Sequence, residues 1–494
     1  MVFLYGESFK LKKSKLDKLN GNLIKSFFKR AEHYADIGEH DKSIDDLTKI
    51  IELNPQHTDA YLSRGIVYLK IAIINRSHTK INNLNSNKAM EDFTKVIHLD
   101  PVNKEAYYYR GRVYGQHKYD PAKAVEDFTK AFELTSDERR KVLILLYRAK
   151  EYDRVPRRTW NNLWSPRELD IKAIDDYTKI IELDPEYAND GNGINVIHRP
   201  QFDYKPTGYI YEKYHSMGYI YELRAELYYK IGEYSSAIDD YTRYLSFHPV
   251  YEDFFSDNHF AYINRGKSFQ FTGEYRKAVR DYTKIIATLD PKISDFLAGQ
   301  KVDLYLFDPV DIYIYRGNAY KQLGQFKNAI HDYTTFIELF IKNNIEETFF
   351  LSDIEAKDCY YNRGLTYSEL HQHEKAIDDY TKTIELDSEY TLAYYNRGIA
   401  YEKIGEYQKA INEYTKTIKL DSEYVEAYNT RSRTYRIIGD IEKAINDLSQ
   451  VMILDPEDDE SAKIRRDLVN QAIEQKLDFI QKKRFKRTNK DYTS

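Results

Sequence analysis

Residues 361–367 read Tyr-Asn-Arg-Gly-Leu-Thr-Tyr, and residues 395–401 read Tyr-Asn-Arg-Gly-Ile-Ala-Tyr. The offset between them is 34 residues, and a weaker third copy follows another 34 residues on. A second motif repeats in step, as Lys-Ala-Ile-Asp-Asp-Tyr-Thr-Lys at 375–382 and Lys-Ala-Ile-Asn-Glu-Tyr-Thr-Lys at 409–416. Self-similarity at a fixed period is the signature of a repeat architecture.

The small residue that opens the second motif can be followed along most of the chain. The C-terminal spacing is 34 residues, and the other spacings are larger, which predicts about ten repeats with insertions within or between them. The ten positions are Ser43, Ala89, Ala124, Ala173, Ala237, Ala278, Ala329, Ala376, Ala410 and Ala444.

Each repeat is predicted to form two helices joined by a tight turn. In the first helix, Tyr394 lies four residues before Gly398, which places both on one helix face. In the second helix, Ala410 precedes Tyr414 by the same four residues. The turn contains Gly405, and glycine readily adopts the left-handed backbone that ends a helix. A hairpin of this size cannot bury its apolar face alone, so neighbouring hairpins must stack.

These motifs resemble the tetratricopeptide repeat (TPR) family, in the variant that carries Asn-Arg-Gly in its first helix. The resemblance covers about residues 24 to 458. It implies an all-α fold: an α-solenoid, wound as a right-handed superhelix, of about ten 34-residue helix-turn-helix repeats with insertions and a C-terminal capping helix. It also implies binding of a partner protein in a concave groove lined by first helices, without catalysis.

The repeat register divides the chain into five segments. They are a basic N-terminal segment (1–23), TPR units one to four with insertions near 71–84 and 153–168 (24–187), a linker or hinge (188–217), TPR units five to ten (218–458), and a capping helix with a basic tail (459–494). The fourth unit is the weakest, and its first helix is expected around 137–151.

Composition narrows the range of functions. The 494 residues carry a net charge of −5, and the repeat body at 24–458 carries −12, which is not the footprint of a nucleic-acid binder. A single cysteine, Cys359, fits a reducing compartment, so the expected location is cytoplasmic. No run approaches the roughly 20 apolar residues of a membrane span. The sequence lacks recognisable catalytic motifs, and neither an enzymatic activity nor a cofactor or metal is expected.

Two charged columns recur beside the small residues. An Arg precedes the small residue of the first helix in nine units, and an acidic residue precedes the aromatic residue or Leu of the second helix in all ten. The Arg column could bind anionic ligands, or it could pair with the acidic column within each hairpin. Pairing is favoured because unpaired charges along a packed seam are costly. The Arg residues are Arg30, Arg64, Arg110, Arg224, Arg265, Arg316, Arg363, Arg397 and Arg431.

The resemblance places the partner-binding groove on the first-helix face opposite the packing aromatics. Tyrosine offers contact area at low entropic cost, and asparagine can both donate to and accept from a peptide backbone. Alternatively, individual Tyr residues could simply pack between adjacent first helices. The predicted groove residues are Asn264, Tyr315, Asn318, Tyr361, Asn362, Leu365, Tyr395, Asn396, Ile399, Asn429 and Arg433.

One family subclass binds the C-terminal carboxylate of a chaperone through a clamp of Lys, Arg and Asn. Here Ile263, Tyr361 and Tyr395 occupy the positions of the first clamp lysine. A chaperone C-terminus is therefore not expected as the ligand, and the expected partner is a peptide segment or helix of another protein.

Two further segments are candidates for individual contacts. Trp160 and Trp164 lie in the Arg-rich insertion near 153–168 and could anchor a partner or fold back onto the solenoid. The tail Lys482 to Arg487 could touch RNA or another anion, or could be a solvated helix end. An RNA-binding helical repeat and a regulatory arm of an enzyme complex therefore remain as alternatives to a protein-binding scaffold.

Overall fold

The computed structural model describes residues 20–75, 79–154, 165–183, 218–247, 258–298, 310–346 and 353–491. These ranges contain helices and turns and no strand. The helices are α1 (20–36), α2 (His40–Leu53), α3 (Thr58–Ile74), α4 (Thr79–Leu99), α5 (Lys104–Val113), α6 (Pro121–Leu134), α7 (Glu138–Arg154), α8 (Pro166–Leu183), α9 (Tyr219–Ile231), α10 (Tyr234–Phe247), α11 (Asn258–Phe271), α12 (Tyr275–Leu297), α13 (Ile312–Gln322), α14 (Phe326–Glu346), α15 (Asp353–Glu369), α16 (His373–Leu386), α17 (Thr391–Lys403), α18 (Tyr407–Leu420), α19 (Val425–Ile437), α20 (Ile441–Leu454) and α21 (Asp459–Asp491).

The predicted α-solenoid of stacked helical hairpins is confirmed. The chain forms two compact units, residues 1–268 and 269–494. In the first unit each helix from α2 to α9 packs on the next one, and in the second unit the same holds from α12 to α20. The predicted hinge at 188–217 lies outside the described residues, and the helices on either side of it, α8 and α9, pack on each other.

The core of each hairpin is a small residue of the first helix set against an aromatic ring of the second. A methyl group added to Gly398 would lie 2.6 Å from the ring of Tyr414, and one added to Gly65 would lie 2.7 Å from the ring of Phe93. Tyr414 and Phe93 are fully buried. Glycine therefore allows the two helix backbones to approach closely, as the sequence pattern predicts.

Substituting Gly398 by alanine is expected to destabilise the protein by about 1–3 kcal/mol, because the added methyl group overpacks a filled core. Gly21 provides the matched control, since a methyl group added there would meet nothing within 4 Å. Gly21→Ala should leave stability unchanged or raise it slightly, because alanine favours the helix. Denaturant unfolding of both variants distinguishes the two cases, and equal stabilities would show that the assigned packing face is wrong.

The first helix of the fourth repeat is α7, as expected from its position in the chain. Its small residue is Ala149, which is fully buried, and Arg148 immediately precedes it. Arg148 thus supplies a tenth member of the Arg column that the sequence pattern did not reveal. Leu145 occupies the usual aromatic position, and the following insertion places Asp176 28 residues after Arg148, where the regular spacing is 16.

The insertion near 71–84 lengthens both helices of the second hairpin at their joined ends. α3 continues for nine residues beyond Gly65, whereas α17 continues for five beyond Gly398. α4 begins ten residues before Ala89, whereas α18 begins three before Ala410. At about 1.5 Å per residue, the hairpin extends about 6–10 Å farther than a regular one.

The final helix, α21, caps the last hairpin only with its first part. Leu468 is buried, and Ile464 packs with it against the core around Ala444 and Leu448. The sequence pattern also places Leu477 on the inner side, and this prediction is wrong because Leu477 is 53% exposed. The helix is 33 residues long and therefore outruns the hairpin on which it packs.

Candidate functional site

The Arg column forms bidentate ion pairs with the acidic column within hairpins. In the eighth hairpin, Nε and Nη2 of Arg363 donate to the two carboxylate oxygens of Asp379 at 2.8 and 2.7 Å. Arg397 departs slightly from this geometry, since both nitrogens donate to one oxygen of Glu413. In the described residues the same fork joins Arg30 to Asp46, Arg64 to Asp92, Arg110 to Asp127, Arg148 to Asp176, Arg224 to Asp240, Arg316 to Asp332 and Arg431 to Asp447.

The third guanidinium nitrogen connects neighbouring hairpins. Nη1 of Arg397 donates to the hydroxyl of Thr381 on the preceding second helix at 2.9 Å, and that hydroxyl donates in turn to the carbonyl oxygen of Ile377. Arg431 makes the equivalent bond to Thr415, also at 2.9 Å. One Arg side chain therefore joins three helices. The guanidinium groups are used in packing, which supports the pairing interpretation over an anion-binding ladder.

Burial and pairing act in opposite directions on the titration of these groups. Burial raises the pKa of Asp379, and the hydrogen bond from Arg363 works against that shift. In the first hairpin the Arg30 side chain is 49% exposed, and there the hydrogen bond from Arg30 lowers the pKa of Asp46. The interior pairs are thus substantially withdrawn from water, whereas the first pair is more accessible.

The predicted groove residues of α15, α17 and α19 lie side by side on adjacent first helices. The hydroxyl of Tyr361 accepts a hydrogen bond from Nδ2 of Asn396 at 2.9 Å. One repeat farther on, the hydroxyl of Tyr395 lies 3.1 Å from the hydroxyl of Thr430. Together with Asn362, Leu365, Ile399, Asn429 and Arg433, these residues are called the Tyr/Asn face below.

Each Tyr of this face also contacts two other rings in a repeating arrangement. The centroid of Tyr361 lies 5.9 Å from that of Tyr380 and 5.1 Å from that of Tyr390. Tyr395 has the same two distances, 5.9 and 5.1 Å, to Tyr414 and Tyr424. Tyr361 and Tyr395 nevertheless remain partly exposed. They combine packing between helices with an accessible edge.

The remaining asparagines of the prediction are also held by neighbours. Asn362 accepts a hydrogen bond from Nζ of Lys321 at 2.7 Å, and Asn318 accepts one from the hydroxyl of Tyr333 at 2.6 Å. Asn429 accepts one from Ser461 of α21 at 3.0 Å. These contacts fix the side-chain orientations along the face.

Three predicted positions differ from the others. Leu365 and Ile399 are partly exposed apolar residues of the Tyr/Asn face. The ring of Tyr315 lies 6.2 Å from that of Tyr282, and its carbonyl oxygen accepts a hydrogen bond from Gln270. Asn264 belongs to the first compact unit, so it is not described with the others.

Glu402 is a residue of this region that sequence reasoning missed. Its carboxylate accepts hydrogen bonds from Thr434 at 2.8 Å, from Arg433 at 3.1 Å and from the hydroxyl of Tyr414 at 3.2 Å. The signal was its position four residues after Gly398, one helical turn along the first helix. Glu402 therefore links α17, α18 and α19 at the edge of the Tyr/Asn face.

Other candidates offer no second site. Trp160 and Trp164 lie outside the described residues. Cys359 is fully buried, its thiol lies 3.5 Å from the carbonyl oxygen of Tyr333, and burial raises its pKa. A thiol in that environment is a core residue rather than a nucleophile. None of the helices in the described ranges combines the length and apolar character needed to cross a bilayer.

Comparison with protein families agrees with the hairpin register. Profiles described as tetratricopeptide repeat match residues 358–390 and 391–424, and also residues 24–57, 310–340 and 425–458. The matched segments begin and end with the hairpins seen in the structure. The chain is a tetratricopeptide repeat protein. Among curated proteins, none matches the chain.

Several solved structures of TPR proteins are similar over part of this TPR chain. A TPR repeat-containing protein from Cytophaga hutchinsonii is 19% identical, with 60% of this chain and 98% of that one covered and a TM-score of 0.40. MamA is 23% identical, with 39% and 95% covered and a TM-score of 0.32. YrrB, described as a TPR protein with an unusual peptide-binding site, is 18% identical, with 46% and 97% covered and a TM-score of 0.34.

Proposed function

We propose that this TPR protein is a non-enzymatic scaffold that binds an extended segment or helix of a partner protein along the Tyr/Asn face. The observation that carries the proposal is the repeated arrangement of Tyr361 with Asn396 and of Tyr395 with Thr430 on adjacent first helices. The proposal places the protein in the cytoplasm, in keeping with its single, buried thiol.

The chemistry of the face suits a polypeptide ligand. Both hydrogen bonds of the Asn396 side chain use its amide nitrogen, and no described residue donates to its side-chain oxygen. That oxygen can accept from a backbone N–H of a bound segment. Leu365 and Ile399 offer apolar contact area beside it. Because neighbouring side chains hold the Tyr and Asn residues in place, little entropy is lost on binding.

The test is peptide affinity of the full chain. Peptides selected from a random phage library on the wild-type protein are titrated against Tyr361→Ala/Tyr395→Ala/Asn396→Ala. We expect affinity to fall by about a hundredfold, since central aromatic contacts typically contribute about 2 kcal/mol or more. The matched control is Glu385→Ala/Gln408→Ala/Asn412→Ala, which changes three exposed second-helix positions and should bind as wild type.

The two Tyr residues also pack against other rings, so a second variant separates binding from folding. Asn396→Ala leaves all rings in place and should still lower affinity by about tenfold, the usual value of about one well-placed hydrogen bond. Unchanged affinity in Asn396→Ala together with unchanged affinity in a folded triple variant would contradict the proposal.

A further inference from the structure

The extended hairpin of α3 and α4 exposes large apolar side chains at its joined end. On α3, Ile73 and Ile74 are 37% and 57% exposed, and on α4, Ile81 and Leu84 are 44% and 56% exposed. With Lys70 and Lys88 they are called the α3–α4 tip below. The tip lies in the part of the hairpin that projects about 6–10 Å farther than in a regular repeat.

The lysines of the tip stand behind the apolar residues along the same helix faces. Lys70 precedes Ile73 and Ile74 by three and four residues, so the three share one face of α3. Lys88 follows Leu84 by four residues on α4, and its ammonium group lies 5.1 Å from the ring centre of Tyr68. Each helix therefore presents apolar side chains at its end and a cation about one turn behind them.

The charge of this hairpin is opposite to that of the protein. Residues 60–90 contain five Lys and Arg residues and not one Asp or Glu, whereas the repeat body carries a net charge of −12. On the preceding hairpin, Asp36, Glu39 and Asp41 return to an acidic turn, so the cationic region is confined to the second hairpin and its other neighbour.

The third hairpin supports the tip from that other side. Nδ1 of His117 lies 2.8 Å from Oδ1 of Asn82, and Nζ of Lys118 donates to Asn87. Both contacts hold the N-terminal part of α4 in place. Tyr119 follows in the same turn, with its backbone at φ 52° and its side chain 78% exposed. An exposed aromatic residue and a lysine thus flank the tip.

We propose that the α3–α4 tip docks on an anionic lipid surface. Side chains that lie in a membrane interface enter to a depth of about 5–10 Å, which matches the extra length of the hairpin. At that depth Ile73, Ile74, Ile81 and Leu84 reach the acyl boundary, and Lys70 and Lys88 stand at the level of the headgroups. Tyrosine at the boundary, as at Tyr119, is typical of membrane interfaces.

A lipid surface fits these observations better than an acidic peptide does. The apolar residues belong to both helices at a projecting end, and a peptide ligand would need a groove in which to lie. A bilayer needs only a projecting apolar end with cations behind it. This surface uses no residue of the Tyr/Asn face, so the two proposals stand independently.

The test is co-sedimentation of the full chain with phosphatidylcholine vesicles, with and without about 30% phosphatidylserine. We expect binding to the anionic vesicles only, weakened about tenfold or more when ionic strength rises to about 0.5 M. Ile74→Ser/Leu84→Ser should reduce binding by about tenfold or more through loss of apolar insertion. Lys70→Gln/Lys88→Gln should reduce the preference for phosphatidylserine.

A matched control carries the same kind of change elsewhere. Ile438 and Ile453 are 45% and 67% exposed, and Ile438→Ser/Ile453→Ser should bind vesicles as wild type. Equal binding to neutral and anionic vesicles, or full binding by folded Ile74→Ser/Leu84→Ser, would overturn the proposal. Failure to bind vesicles would also overturn it, and capture of a synthetic Glu/Leu peptide that Ile74→Ser/Leu84→Ser abolishes would then assign the tip to an acidic protein segment.

Discussion

Asp379→Ala is expected to lower the free energy of unfolding by about 3–5 kcal/mol, because it leaves the guanidinium of Arg363 buried without its partner. The side chains of Arg363 and Asp379 are only 15% and 5% exposed. Two hydrogen bonds of 2.8 and 2.7 Å are lost, and water cannot fully replace them. In a stacked repeat the loss should concentrate in the affected hairpin and its neighbours. Denaturant unfolding followed by circular dichroism measures the total.

The neighbouring carboxylate supplies the control for this prediction. Asp378 is exposed, and Asp378→Ala should change stability by no more than about 0.5 kcal/mol. The double variant Arg363→Met/Asp379→Leu removes both charges and should recover most of the loss, since apolar residues can replace a buried pair. If Asp379→Ala were as stable as Asp378→Ala, the Arg column would not be a packing element.

Phe128→Ala should cost about 3–5 kcal/mol, the usual range for removing a buried aromatic side chain. Phe128 is fully buried and lies against Gly111, where an added methyl group would be 3.0 Å from its ring. Its ring also lies 5.9 Å from that of Tyr147, so the cavity would open between two hairpins. We expect the unfolding midpoint in denaturant to shift accordingly.

An exposed phenylalanine of the same compact unit tests whether burial is the cause. Phe260 is 60% exposed, and Phe260→Ala should change stability by less than about 0.5 kcal/mol. A loss below about 1 kcal/mol for Phe128→Ala would mean that the ring is not at the core of the third hairpin.

The sequence predicted the hairpins because the same steric requirement recurs in each of them. A small residue must face an aromatic ring, so Gly398 and Tyr414 can be paired by spacing alone. The fourth repeat was harder, because Leu145 replaces the aromatic residue and an insertion separates Arg148 from Asp176. The exposure of Leu477 could not be predicted, since the period of a helix does not show where its supporting surface ends.

The candidate site was predicted in position but not in detail. Spacing places Tyr361, Tyr395 and Asn396 on one side of the first helices. It does not show that Asn396 donates to Tyr361, because that bond depends on the side-chain conformations of two residues 35 apart in the chain. Glu402 escaped for the same reason, since its three partners come from different helices.

Hydroxyl-radical footprinting of the protein with and without a phage-selected peptide tests the central claim most directly. Tyr361 and Tyr395 belong to the Tyr/Asn face, whereas Tyr367 and Tyr401 lie on the same two helices and contact the Arg column or its neighbouring lysines. We predict that the peptide lowers oxidation of Tyr361 and Tyr395 and leaves Tyr367 and Tyr401 unchanged. Protection of Tyr367 and Tyr401, with Tyr361 and Tyr395 oxidised as in the free protein, would contradict the account.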